Sequence, residues 1–227
     1  DVAASVSDVS VVSASSTHLT IQFTPQNWQS RIIETPIGPR QQLLFSGCSY
    51  AGLPGEPQLP VKHIFVAVPE DAHISVSVQE SDYQLLRNIQ LAPHPRMKRE
   101  ADRYALDYSE TQADVALPEL VLADEPHLFR GVRVCRITFC PLHYDAEAFQ
   151  ARQYSSITAI VRFSVPFPPT IETSTDEVLN SLVVNPQQLV RRRSWLLKSQ
   201  PTSFAGDNWY KLFIQNIGQT CEGMYKL

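Results

Sequence analysis

The residues that could do chemistry in this chain are few, and their spacing decides against most of the reactions they could support. Gly47-Cys-Ser-Tyr-Ala51 has the small-x-Ser-x-small outline of a nucleophile elbow. That elbow requires a sharp turn from a strand into a helix, and strand patterns flank it on both sides, so it reads as an ordinary loop serine. The six histidines stand singly; His63, His73, His127 and His143 fall in or beside strand patterns, where a structural role is expected. Asp176 and Glu177 are adjacent carboxylates, which on a helix do not face each other and serve instead to favour its N-terminus. No His-Glu-x-x-His, Gly-rich phosphate loop or acidic calcium loop occurs, so neither a metal nor a nucleotide cofactor is expected.

Four cysteines remain, Cys48, Cys135, Cys140 and Cys221, with no Cys-x-x-Cys pair to suggest zinc. Cys135 and Cys140 lie in one strand pattern, where about 3.3 Å per residue puts them roughly 16 Å apart, beyond the ~7 Å that a disulfide spans. Two connectivities survive: Cys48–Cys135 with Cys140–Cys221, or Cys48–Cys140 with Cys135–Cys221. The alternative is buried free thiols, above all for Cys135, which shares a strand face with Ile137 and Phe139.

The elements that must position these residues follow from composition and period. The 227 residues, 43% hydrophobic and 19% charged, suffice for one large β domain or a domain with an appendage. A net charge of −4 with no clustered basic face argues against nucleic acid and anionic membrane as partners. No apolar run approaches the roughly 18 residues of a membrane span. The chain opens at Asp1 without a leader, so a soluble, exported protein whose signal peptide has been removed is expected.

Period two dominates: Leu19, Ile21 and Phe23, then Ile74, Val76 and Val78, then Ile157, Ala159, Val161, Phe163 and Val165, each alternating with mostly polar residues. Further strands are expected near 8–13, 31–35, 41–46, 62–68, 131–140 and 209–215. Short strands without intervening helices predict an all-β fold, an antiparallel β-sandwich or jelly roll, with a short C-terminal helix. Seventeen prolines against eight glycines predict long, stiff loops and few primed two-residue hairpins. The longest loop is expected from Leu91 to Pro126. Asn185-Pro186 reads as the start of a helix running past Leu197, with a shorter helix over 176–184 before it. The sandwich is expected over 1–200, followed by a linker and the first strands of a neighbouring region over 201–227, cut from something larger.

Several motifs carry a family resemblance. Gly52-Leu-Pro-Gly-Glu-Pro-Gln-Leu-Pro-Val61, followed by Phe65-Val-Ala-Val-Pro69, resembles the early signature of the N-terminal propeptide of gingipain-type cysteine peptidases. Arg130-Gly-Val-Arg-Val134, Pro141-Leu-His-Tyr-Asp145 and the strand from Ile157 to Phe163 resemble its later signature, and Leu182-Val-Val-Asn185 resembles a short stretch near its end. Trp209-Tyr-Lys with Gly223-Met-Tyr-Lys-Leu227 is similar to a segment at the start of the following region in secreted relatives. The motifs span roughly residues 40 to 190 in the family's order.

The resemblance implies a β-sandwich prodomain that assists folding of a cognate cysteine peptidase domain and keeps it latent, secreted or at the cell surface. It implies an inhibitory loop presenting a basic side chain to the peptidase's specificity pocket, for which Arg99 is the leading candidate and Lys98 and Arg96 stand behind it. It also implies a processing junction near Arg191, Arg192 and Arg193, with cleavage after Lys226 or beyond Leu227 equally open. The family's catalytic dyad is a His before Gly and a Cys after Ala, and neither pair occurs; no catalytic residue is therefore assigned here. The competing reading is a secreted adhesion or carbohydrate-binding sandwich, which would need Tyr104, Tyr108 and Tyr144 aligned on one face. A third reading keeps the family but makes the domain a structural cap on a non-peptidase.

Overall fold

The computed structural model describes residues 8–100, 103–109, 119–169, 176–189, 209–216 and 219–226, the last two segments and Glu80 and Glu100 by their backbone alone. Its strands are β1 (Val9–Ala14), β2 (His18–Phe23), β3 (Trp28–Thr35), β4 (Gly38–Phe45), β5 (Ser49–Ala51), β6 (Leu59–Ala67), β7 (Ile74–Arg87), β8 (Arg96–Glu100), β9 (Arg103–Asp107), β10 (Val121–Ala123), β11 (His127–Phe129), β12 (Val132–Phe139), β13 (Leu142–Asp145), β14 (Gln150–Phe163), β15 (Trp209–Asn216) and β16 (Gln219–Lys226). One short helix, α1 (Glu177–Leu182), and one 3-10 turn, Pro186–Gln188, are found among the described residues.

Two antiparallel sheets face each other, as the alternation predicts. One runs β1-β2-β14-β13, with β7 pairing β14 on its other edge; the second runs β10-β12-β6-β5, with β11 also on β12. Leu19, Ile21 and Phe23 of β2 and Ile157, Ala159 and Val161 of β14 are fully buried, and they meet Ile64 and Val66 of β6 and Ile137 and Phe139 of β12. Phe23 and Phe139 touch across the layer with ring centroids 5.4 Å apart. Burying each such side chain is worth about 1.5–3 kcal/mol, so this layer is the main source of stability.

Strand β14 is the spine. Its residues pair with β7 from Gln150↔Arg87 to Phe163↔Ile74, while its other edge takes β13 and then β2. Register shifts near Tyr154 and Thr158 bend it. A bulge re-aims the side chains beyond it, which lets one strand serve two cores: Ala151 packs with Leu43, Phe45, Leu59, Leu91, Leu142 and Tyr144, whereas Tyr154 and Ile157 join the main layer. One primed turn is seen among the described residues. Arg130 and Gly131 connect β11 to β12 as a two-residue loop with φ of 49° and 80°, the geometry of a type I′ hairpin.

The shorter helix expected over 176–184 is present as α1. Asp176 caps α1, its Oδ1 accepting from the Val178 and Leu179 amides at 3.1 and 3.3 Å and its Oδ2 from Arg130 Nε at 2.9 Å. Those bonds hold the Asp176 carboxyl below its ordinary range despite an opposing desolvation effect. Asn185-Pro186 opens only the 3-10 turn, because the Asn185 side chain does not cap it. Asn185 is fully buried and grips the end of β6 instead, accepting from the Ala67 amide at 2.8 Å and donating to the Ala67 carbonyl at 3.2 Å. Its amide also donates to Gln188 Oε1, and Gln188 Nε2 donates to the Ser15 carbonyl at 2.9 Å. This polar chain latches residues 183–189 to both sheets. The expected helical residues beyond Leu189, and the arginines within them, lie outside the described residues.

The chain divides into two compact units, Asp1–Arg191 and Arg192–Leu227. In the second, β15 and β16 form a two-stranded antiparallel ladder from Trp209↔Lys226 to Asn216↔Gln219. Replacing Asn185 by Ala strands the amide and carbonyl of Ala67, so the first unit should lose about 2–3 kcal/mol in urea unfolding; a loss below ~0.5 kcal/mol would show that the latch carries little of the fold.

Candidate functional site

The stretch expected as a long loop holds the candidate site, and most of it is ordered structure. It begins as a pinned stem. Ile89 N donates to Phe149 O at 2.9 Å, and Tyr144 Oη donates to Ile89 O at 3.1 Å. Gln41 N donates to Gln90 O and Ala92 N donates to Gln41 O, both at 2.7 Å, while Gln58 N donates to Ala92 O at 2.9 Å. His94 N donates to Glu56 O at 2.6 Å and Gly55 N to His94 O at 2.8 Å. Leu91, Ala92 and Pro93 are buried.

The motif from Gly52 to Val61 builds the socket for this stem. Leu53-Pro-Gly-Glu56 closes a turn with Glu56 N donating to Leu53 O at 3.0 Å, Pro54 leading, and Gly55 at φ 95°. That is the residue pattern of a type II turn, in which only a residue tolerating positive φ fits the third position. Glu56 Oε2 accepts from Leu53 N at 2.7 Å and tightens the turn. Buried Gln58 donates its side-chain amide to Pro93 O at 2.9 Å and accepts from Gln42, which in turn accepts from Arg31 Nη2 at 2.6 Å. A buried amide between two partners is worth keeping only while both are present.

From this stem β8 and β9 project as a two-stranded sheet of their own, paired from Arg96↔Asp107 to Glu100↔Arg103. Arg96, Lys98 and Arg99 all lie on β8 and are exposed. Alternation separates them: Arg96 and Lys98 share a face with Ala105 and Asp107, and Arg99 shares the other with Met97, Tyr104 and Leu106. Arg96 Nη2 reaches back to the Pro54 carbonyl at 3.4 Å, so the Arg96 face is the one turned toward the socket. Within the long loop expected from Leu91 to Pro126, the described residues thus include the stem, this hairpin and β10. The hairpin's strands have no fully buried face to produce a full apolar alternation; Tyr104 and Leu106, two apart, were the hint in the sequence.

The remaining candidates form no catalytic constellation among the described residues. Cys48, Cys135 and Cys140 are free thiols, so neither Cys48–Cys135 nor Cys48–Cys140 is bridged; the Cys221 side chain lies outside the described residues, as do Arg191, Arg192 and Arg193. Burial pushes Cys48 and Cys140 up to about 11 and Cys135 to about 12. A thiol held neutral is a poor nucleophile. Ser49 sits on edge strand β5, its hydroxyl directed at Val61 O at 3.5 Å. His63 and His143 are pushed down, first by burial and then by Arg136 and Arg152 respectively, and His63 bonds Thr138 Oγ1 at 3.0 Å. Of the three tyrosines a sugar platform would need, Tyr144 is buried and Tyr104 is exposed on the hairpin. No group of His, Cys, Asp and Glu among the described residues could hold a metal ion. No helix among them is long and apolar enough to cross a membrane.

The sequence pattern of Propeptide_C25 matches residues 4–188. The chain belongs to that family. Propeptide_C25 membership agrees with the curated relatives: Gingipain R1 of Porphyromonas gingivalis is 27% identical over 146 residues, 62% of this chain and 15% of that protein. Gingipain R2 of the same organism is 26% identical over 161 residues, 67% of this chain and 22% of its own length. The chain therefore spans under a quarter of these relatives. Among solved structures, one from the complex of Porphyromonas gingivalis RgpB pro- and mature domains superposes with a TM-score of 0.68 at 24% identity, covering 79% of this chain and 98% of that one. One described as bearing on the zymogenic latency of gingipain K from the same organism gives 0.58 at 21%, covering 72% and 96%. The fold shared with these structures is the two-sheet propeptide sandwich.

Two measurements check the site's physics. Gln58→Ala should unpin the stem, raising amide exchange over 90–94 by tenfold or more while β14 exchange is little changed; unchanged exchange at Ala92 and His94 would show that the backbone bonds hold the stem alone. The three raised thiols stabilise the fold fully below their ordinary value near pH 9, and that contribution is lost as pH climbs through about 11 to 12. Thiol reagents at pH 8 should accordingly label the buried Cys135 and Cys140 only after unfolding, and rapid labelling of Cys135 in the folded chain would contradict this burial.

Proposed function

We propose that this chain is the prodomain of a gingipain-like secreted cysteine endopeptidase, acting as a folding aid and as a latency inhibitor that places a basic side chain of the β8–β9 hairpin in the peptidase's active-site cleft. Its partner is then the peptidase domain of the same precursor, bound in cis or after cleavage, outside the cell or at its surface. The observation that carries this reading is the conjunction of Propeptide_C25 membership over 4–188 with a basic hairpin projecting from a pinned stem.

The physical case for Arg99 is that its guanidinium can fork onto a carboxylate at a pocket floor with two parallel hydrogen bonds, which an ammonium cannot do. The pinned stem supports it, because a loop already held in place loses less conformational freedom on binding. Lys98 and Arg96 lie on the other face and would need the hairpin to approach the cleft by its opposite side. We place processing at Arg191 to Arg193, close after buried Leu189, so that the 183–189 latch stays with the prodomain.

The test is the inhibition constant of the chain, added in trans to the mature peptidase domain. Arg99→Ala should weaken inhibition by about 100-fold, as expected when one side of a buried, charge-assisted pair is removed. An unchanged constant in a folded Arg99→Ala variant would remove Arg99 from the inhibitory role.

A further inference from the structure

The β8–β9 hairpin has an uneven distribution of apolar surface that a solvated hairpin does not need. Met97 is 72% exposed, Tyr104 71% and Leu106 57%. The register pairs Met97 with Leu106 and Arg99 with Tyr104, directly opposite. In an antiparallel ladder directly opposed residues point to the same side, and residues two apart do likewise. All three large apolar side chains therefore fall on the face that carries Arg99, and that face is turned away from the Arg96 contact with Pro54. The opposite face carries Lys98 and Arg103, and Ala105 and Asp107 there are half-buried. A two-stranded hairpin gains little stability of its own in water, so exposing three large apolar groups on one side of it serves no purpose in the free chain.

We infer that the Met97, Tyr104 and Leu106 face of the hairpin is a docking strip that packs against an apolar shelf on the peptidase domain beside an acidic recess that receives Arg99. This rests on the latency reading above and adds the chemistry of the partner's surface to it. Charge complementarity commits the occupant: a cation ringed by apolar side chains fits a carboxylate sunk in an apolar wall. A second copy of this chain fits badly, because face-to-face pairing would press one Arg99 toward another in a desolvated layer. Arg99 supplies the specific polar contact, and the flanking side chains exclude water from it.

The experiment measures inhibition of the mature peptidase domain of the same precursor by the full chain and by Met97→Ser, Leu106→Ser and the double variant. Ala105→Ser, on the opposite face, is the control, and thermal melts establish that each variant is folded. Each single variant should weaken inhibition about tenfold and the double about 100-fold, with Ala105→Ser within about twofold, as for truncating apolar anchors around a buried charge. Unchanged inhibition by the double variant, alongside loss on Arg99→Ala, would overturn the docking strip while leaving the latency reading intact. Absence of inhibition by the unmodified chain would instead overturn the latency reading beneath it. Sedimentation of the chain alone provides the remaining arm: a dimer abolished by Leu106→Ser assigns the strip to a second copy and overturns the inference, and a monomer supports it.

Discussion

Six residues without helix or long strand, Ile89 to His94, determine what this domain can present to a partner. Their backbone groups are bonded on both sides, to Gln41 of β4 on one and to Glu56 and Gln58 of the proline-rich turn on the other. Leu91 packs into the smaller core with Leu43, Leu59 and Leu142. The clamp is made mostly of main-chain bonds, so its geometry is fixed by the chain path and not by the identity of most side chains. The exceptions are the amides of Gln42 and Gln58, which are buried and satisfied only by each other, by Arg31 and by the Pro93 carbonyl.

The rest of the fold can be understood as the support for that clamp. The smaller core lies where β13 and the first residues of β14 pair. The main core lies further along β14, and the register shifts between them allow a single strand to line both. At the far end Asn185 and Gln188 fasten the C-terminal stretch to β6 and to the turn after β1. Arg130 and Asp176 fasten the helix start to the tight turn between β11 and β12. The segments resembling the family's signatures thus fall at fastenings: one forms the socket, one the tight turn that holds the helix cap, one the latch.

The sandwich was legible in the sequence because β2 and β14 bury one face, and a buried face writes itself as period two. The hairpin was not, because its large apolar side chains Met97, Tyr104 and Leu106 are exposed; a strand held mainly by pairing leaves no full apolar period. The second half of β7 was missed for the same reason, with Tyr83 and Leu85 exposed among polar neighbours. The short helix over 176–184 was legible from its acidic start; that Asn185 before a proline is no cap was not, since only the structure shows its side chain turned to Ala67 instead. Asp176, the actual cap, was recognised as favouring a helix start. Arg96, Lys98 and Arg99 were legible as a run of basic residues; that alternation sets Arg99 apart from the other two was not, since it needs the register.

The central claim is that the hairpin occupies the active-site cleft of a cysteine peptidase. Steady-state kinetics of the mature peptidase domain on a small basic substrate, at several concentrations of the unmodified chain, tests it most directly. Occupation of the cleft predicts purely competitive inhibition, with KM rising in proportion to the chain added and kcat unchanged. Inhibition that lowers kcat at saturating substrate would place the contact elsewhere on the peptidase and contradict the account.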